Sequence, residues 1–104
     1  MENMEDLETM FISARHAKIN TNNYIREREE IYRNKAIDFL NKYNFNKVIT
    51  KACEERRFSI SPISVEEREL AYAVRDVLAV LGYTARVNMI NSTYNINVNW
   101  NGEL

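Results

Sequence analysis

The feature that most constrains this fold is a long segment, from Tyr24 to Arg56, that contains no Gly or Pro. Gly and Pro are the residues that most strongly oppose a helix interior, so the stretch predicts one long helix. Its apolar residues form two stripes that are offset in phase near Asn44. One helix that presents two faces would explain the offset, and so would a bend at residues 44–46. The stripes are Ile25, Ile31, Tyr32, Ala36, Phe39, Leu40 and Tyr43, followed by Phe45, Val48, Ile49, Ala52 and Cys53.

A shorter helical pattern precedes this stretch, with Leu7, Phe11 and Ala14 at helical intervals. Residues 19–23 (INTNN) are predicted to interrupt it, because Asn and Thr side chains compete for backbone hydrogen bonds. Thr21 or Asn22 is then expected to cap the next helix. The predicted parts are therefore a helical arm over residues 1–22 and a long helix over residues 23–56.

A mixed unit over residues 57–104 follows. Residues 57–61 alternate and predict a short strand that Pro62 ends. Ser64 and Glu67 have the spacing of a capping box, and Gly82 is placed to end the helix that the box begins. That helix is expected to bury Leu70, Ala71, Val74, Val77, Leu78 and Leu81 on one face.

The last pattern is a β-hairpin. Tyr83, Ala85, Val87 and Met89 alternate with polar residues, as do Tyr94, Ile96, Val98 and Trp100. Period-two alternation is typical of a sheet with one buried face. The prediction is a single α+β domain over residues 1–104, in which a β-α-β-β unit with a three-stranded sheet follows the N-terminal helices. The helix that ends at Leu81 and the long helix would cover the sheet, whose strand order stays open.

Composition excludes several functional classes. Among 104 residues, 14 bases balance 15 acids, which argues against a strongly cationic nucleic-acid binder. The single Cys53 excludes an internal disulfide, and on the apolar side of a helix it is expected to be buried. His16 is the only imidazole and Gly is scarce, so we expect no metal, no cofactor, no phosphate-binding loop and no enzymatic activity. Without a signal peptide or a membrane-spanning run, the expected location is the cytoplasm.

Two surface patterns are candidates for binding. A polar face of the hairpin, made of Arg86, Asn88, Asn95, Asn97 and Asn99, would suit nucleotides or nucleic acid. Codon bias is the alternative, since Asn occurs 14 times in the chain. An apolar, Met-rich arm with Met4, Leu7, Met10 and Phe11 would suit a protein partner, because Met adapts to varied surfaces; core packing is the alternative.

Several short motifs resemble a group of small tailed-bacteriophage proteins. The motifs are Ile12-Ser13-Ala14, the run from Ala52 to Ile60, Leu81-Gly82-Tyr83, and the hairpin end at Trp100. Arg56 stands where the group's pattern carries Gly. The resemblance implies a phage origin and supplies no catalytic residues.

The expected function is therefore non-enzymatic and works through protein–protein contacts, in an accessory component of a virion or of its assembly. The partner would be a second copy of the chain, giving a homo-oligomer, or another virion or host protein. The expected location is accordingly the host cytoplasm or the virion. A host-directed inhibitor or anti-defence protein, and a nucleotide or nucleic-acid binder, are the alternatives.

Overall fold

The computed structural model describes Leu7 and residues 10–102. By backbone contacts the chain divides into two compact units, residues 1–30 and residues 31–104. The prediction of a single domain stays a prediction. The elements are, in chain order, α1 (Ala14–Lys42), α2 (Phe45–Glu54), β1 (Ile63–Val65), α3 (Arg68–Val80), β2 (Thr84–Ile90) and β3 (Thr93–Asn99).

Helix α1 is continuous through the segment that was predicted to interrupt it. Its 29 residues include Asn20, Thr21, Asn22 and Asn23, all exposed. The predicted boundary at residues 22–23 is therefore wrong. Asn and Thr disfavour a helix interior by only a few tenths of a kcal/mol each, which the surrounding helical residues offset.

The real break lies at Asn44, between α1 and α2. Asn44 adopts a left-handed backbone conformation with φ 60° and ψ 46°. Asn tolerates this conformation better than other residues that carry a side chain. The single long helix predicted over residues 23–56 is therefore wrong. The offset between the two apolar stripes marks a bend between two helices, which was the other interpretation of the pattern.

The sheet is antiparallel, with the strand order β1-β3-β2. In the central strand, Ile96 lies opposite both Ile63 and Val87. The α+β fold with a three-stranded sheet is confirmed. Helix α3 lies directly on one face of the sheet, and α1 and α2 add residues to the same core. The buried core consists of Ala36, Leu40, Phe45, Ala52, Ile60, Ile63, Val65, Ala71, Val74, Leu78, Ile96 and Val98.

The start of this unit differs from the prediction. Strand β1 follows Pro62 instead of preceding it, and residues 58–60 contribute only an isolated bridge between Ser59 and Asn99. Ser64 lies in β1, and Glu67 is the N-cap residue of α3 but makes no side-chain capping hydrogen bond. The prediction of a capping box is therefore wrong. Pairing with β3 buries Ile63 and Val65 to 1% and 3% exposure, which stabilises the strand more than a cap at Ser64 would stabilise the helix.

The end of α3 is as predicted. Gly82 has φ +96°, which a residue with a side chain adopts only at a cost. The Tyr83 amide donates to the Leu78 carbonyl at 3.0 Å, which closes the helix. Leu81, however, is 62% exposed, so its predicted place on the buried face is wrong. Leu81 is the C-cap that follows Val80, so it lies beyond the part of α3 that packs on the sheet.

Candidate functional site

An open apolar cavity of about 560 Å³ lies between the last turns of α1, the start of α2 and the end of α3. Cavities of this size fall within the range of about 300–1,000 Å³ that is typical of ligand sites. We call it the helix groove. Its apolar lining is Ile37, Leu40, Phe45, Val77, Val80 and Leu81, and its polar lining is Arg33, Asn41, Asn44, Asn46 and Lys47.

The groove follows from two local features of the chain. The left-handed turn at Asn44 directs α2 away from the line of α1, and Gly82 stops α3 directly after Val80 and Leu81. Leu40 and Phe45 are almost fully buried at 7% exposure each. Val80 and Leu81 remain 77% and 62% exposed, so the groove has an apolar interior and an apolar lip.

The groove is electropositive. Arg33 and Lys47 are its only charged lining residues, and no acid lines it. Neither cation forms an ion pair within the described part of the chain. Nearby, by contrast, Lys42 is neutralised by Asp38 at 3.0 Å between Nζ and Oδ2. A partner for the groove must therefore supply apolar side chains and, at its edge, negative charge.

The polar face predicted for the hairpin is also present. Register places Arg86 opposite Asn97 and Asn88 opposite Asn95, with Asn99 further along the same side of β3. Directly opposite side chains lie about 5 Å apart at Cβ, so all five candidate residues share one surface. Helix α3 covers the other side of the sheet.

Only part of this polar face is free for a ligand. Arg86, Asn88 and Asn97 are exposed, whereas Asn95 and Asn99 are half-buried. The Ser64 hydroxyl donates to Oδ1 of Asn95 at 2.9 Å, so part of this amide's hydrogen-bonding capacity is used within the sheet. Arg86 is the one cation among the five residues.

The Met-rich arm is exposed wherever the structure describes it. Leu7, Met10 and Phe11 are 44%, 59% and 65% exposed, and Met4 lies outside the described residues. Leu7 and Met10 have helical backbone, and the Phe11 amide donates to the Leu7 carbonyl at 2.8 Å. Ile12, the next residue along the chain, is also apolar and is 73% exposed.

The two groups considered for catalysis, His16 and Cys53, are both exposed. His16 is exposed, and its backbone amide donates to the Ser13 hydroxyl at 3.2 Å. Cys53 is exposed and not buried as predicted, because Ala52 occupies the position of this helical turn that faces the core. Within residues 10–102 and at Leu7, no cluster of three His, Cys, Asp or Glu side chains could hold a metal ion.

One titratable group is perturbed by its surroundings. Burial raises the pKa of Tyr83, and the nearby Cys53 thiol adds to this effect when it is charged. The Tyr83 ring packs edge-on between Phe45 and Trp100, at centroid distances of 5.4 and 5.9 Å. This arrangement is a packed aromatic row, and Tyr83 does not line the helix groove.

Sequence reasoning missed the helix groove, although one signal was present. Residues 77–81 are five consecutive apolar residues. A helix with a single buried face needs an apolar stripe and not a continuous run, so the five cannot all face the core. Ala79, Val80 and Leu81 are exposed, and Val80 and Leu81 form the lip of the groove.

Comparison with known proteins adds no relative to this description. No protein family model, curated protein or solved structure matches the chain. Among the described residues, no helix combines the length and the apolar character that crossing a membrane requires.

Proposed function

We propose that this protein is non-enzymatic and acts by binding another protein chain through the helix groove, as an accessory component of a phage virion or of its assembly. The occupant that fits is an amphipathic helix whose apolar side chains enter the groove and whose acidic side chains meet Arg33 and Lys47. The observation that carries this proposal is the exposed apolar lip, with Val80 at 77% and Leu81 at 62% exposure.

Three further points support the proposal. Large apolar side chains that cluster on a surface and are rimmed by polar groups are typical of interaction sites. The rim here is asymmetric in charge, with two cations and no acid. Such a rim selects acidic partners and repels basic ones, and it speeds the encounter. The resemblance to small phage proteins supports the virion setting.

Site-specific photocrosslinking tests the groove directly. A benzophenone amino acid would replace Val80 in one variant and Phe58 in a second, matched variant. Phe58 is 58% exposed and does not line the groove, so it controls for non-specific capture by an exposed apolar position. In cells that produce the protein, we expect a discrete adduct from position 80 that is absent from position 58. Arg33→Glu with Lys47→Glu should remove it.

The identity of the adduct separates the settings. A virion protein in the adduct, together with the chain's presence in purified virions, supports the virion role. A host protein in the adduct would replace that role by host-directed inhibition and would leave the groove as the binding site. Equal labelling from positions 58 and 80, or none from position 80, would refute the groove as the contact surface.

The polar face favours a second function, nucleotide or nucleic-acid binding, because the sheet register gathers Arg86, Asn88 and Asn97 on one exposed surface. Amide and guanidinium groups are the side chains that pair with base edges. Changing Arg86 to Gln and both Asn88 and Asn97 to Ser should abolish binding of a fluorescent oligonucleotide while the circular dichroism spectrum is unchanged. Unchanged affinity would exclude this function.

A further inference from the structure

The chain itself carries a segment with the chemistry that the helix groove requires. Residues 1–12 include the Met-rich arm and also carry negative charge, and we call this segment the acidic arm. It contains Glu2, Glu5, Asp6 and Glu8 and no Lys or Arg. The apolar residues of the arm include Leu7, Met10 and Phe11, which are 44% to 65% exposed. An arm with exposed apolar side chains and uniform negative charge complements an apolar groove with uniform positive charge.

The spacing of the apolar residues also fits. Leu7, Met10 and Phe11 stand at positions i, i+3 and i+4, which share one face of a helix. Leu7 and Met10 have helical backbone. A helix that inserts residues at this spacing into an apolar groove is a recurrent mode of protein recognition.

We propose that the acidic arm of one copy of this chain docks in the helix groove of a second copy. This inference rests on the proposed function, namely that the groove binds protein, and it names the partner. Each copy holds one arm and one groove, so mutual exchange of arms would close a dimer and one-way insertion would build a longer assembly. In both cases the solution mass exceeds the 12.3 kDa of one chain.

A labelled peptide measures binding of the arm to the groove separately from the oligomerisation that this binding would cause. The probe is a fluorescent synthetic peptide of residues 1–14. The receptor is the full chain with Leu7→Ser, Met10→Ser and Phe11→Ser, whose own arm cannot compete. We expect saturable binding by fluorescence anisotropy. A peptide with the same three Ser substitutions keeps the charge and should bind about tenfold more weakly or worse, since a few buried apolar anchors carry most of such an affinity.

A charge exchange then tests the electrostatic part. Arg33→Glu with Lys47→Glu in the receptor should weaken peptide binding about tenfold or more, an effect that salt should reduce. A peptide with Lys at positions 2, 5, 6 and 8 should bind this reversed receptor more tightly than the native receptor. The control receptor carries Lys18→Glu and Lys51→Glu, the same charge change at exposed positions outside the groove. It should bind the native peptide with nearly native affinity.

The rescue by the reversed peptide also excludes misfolding as the cause of lost binding. A peptide that does not bind, or one that is equally weakened by the groove and control variants, would overturn the inference. Solution mass by light scattering on the unaltered chain provides a second criterion. We expect a mass above one chain that rises with concentration and returns to 12.3 kDa when the arm carries the three Ser substitutions. One-chain mass at every concentration would overturn the inference.

Failure of this inference and failure of the proposed function give different results. If the partner is another protein, position 80 still forms its discrete adduct, whereas the peptide does not bind and the chain stays monomeric. If the groove binds no protein, position 80 yields no adduct at all. An adduct between two copies of this chain through position 80 supports both proposals.

Discussion

The two halves of α1 have the same secondary structure but differ in what surrounds them. None of residues 14–30 is buried, and even Tyr24 and Ile25 are 71% and 50% exposed. In residues 31–42, Ala36 is fully buried and Leu40 is 7% exposed. Helices in proteins are stabilised mainly by packing of an apolar face and only weakly by propensity. The first half therefore depends on propensity and the second half on the core.

Amide hydrogen exchange should show this difference most strongly. Exchange at residues 36–42 is expected to require opening of the core, at a cost of about 5 kcal/mol or more for a domain of this size. Residues 14–30 should exchange with a protection of about 1 kcal/mol, since none of them is buried. Mass spectrometry of peptides on both sides of residue 30 measures the contrast. Equal protection on both sides would show that residues 14–30 are covered in solution.

Truncation of apolar side chains sharpens the comparison. Leu78 is fully buried under the sheet, and Leu78→Ala should lower the free energy of unfolding by about 3 kcal/mol through lost burial and a cavity. Ile25→Ala is the matched control in the exposed half and should cost less than about 0.5 kcal/mol. Urea denaturation of both variants provides the values. Similar losses would mean that Ile25 packs against something in solution.

Backbone strain offers a smaller effect of the opposite sign. Arg56 has φ 60°, a left-handed conformation that costs a residue with a side chain about 1–2 kcal/mol. Arg56→Gly should raise the free energy of unfolding by about 0.5–1 kcal/mol, the relief being partly offset by the greater freedom of Gly in the unfolded chain. Asn44 also has φ 60°, and Asn tolerates it, so Asn44→Gly is the control with little change. Equal gains at the two positions would contradict this explanation.

Alkaline pH should produce the smallest effect. Burial raises the pKa of Tyr83, with a further contribution from Cys53, so the native state keeps this proton to higher pH than the unfolded chain does. The stability that the protonated Tyr83 contributes is complete below the unfolded pKa of about 10. It is lost as pH rises through the higher pKa of the native state. Tyr83→Phe should therefore flatten the fall of stability above pH of about 10. Urea midpoints of the native chain and of Tyr83→Phe across this range measure the effect, and equal falls in the two would contradict this explanation.

The predictions were right where the local sequence pattern and burial in the folded protein agree. The hairpin alternation placed Ile96 and Val98 in the core and Arg86, Asn88 and Asn97 on the opposite face. One residue of the apolar series departs from it: Met89 is 66% exposed, because it lies at the tip of the hairpin. The polar candidate face could thus be predicted almost completely, since register and alternation determine it.

The predictions were wrong where a local sequence pattern and tertiary contacts favour different structures. Ser64 and Glu67 have the spacing of a cap, yet Ile63 and Val65 gain more by pairing with β3 and entering the core. Cys53 follows a buried alanine but is rotated by about 100° from it on the helix. The groove depends on the relative positions of three helix termini, namely the ends of α1 and α3 and the start of α2. No periodicity in the sequence encodes these positions.

By itself, the sequence determined the α+β class, the offset of the apolar stripes near Asn44, the end of α3 at Gly82 and the two-faced hairpin. Each of these depends on residues that are close in the chain, where steric preference and side-chain period act directly. Only the tertiary structure decided that β1 follows Pro62, that β3 is the central strand, and that Val80 and Leu81 stay exposed beside Arg33 and Lys47. The physical reason is that burial is a property of elements packed together, and the residues that meet in the core and in the groove are distant in sequence.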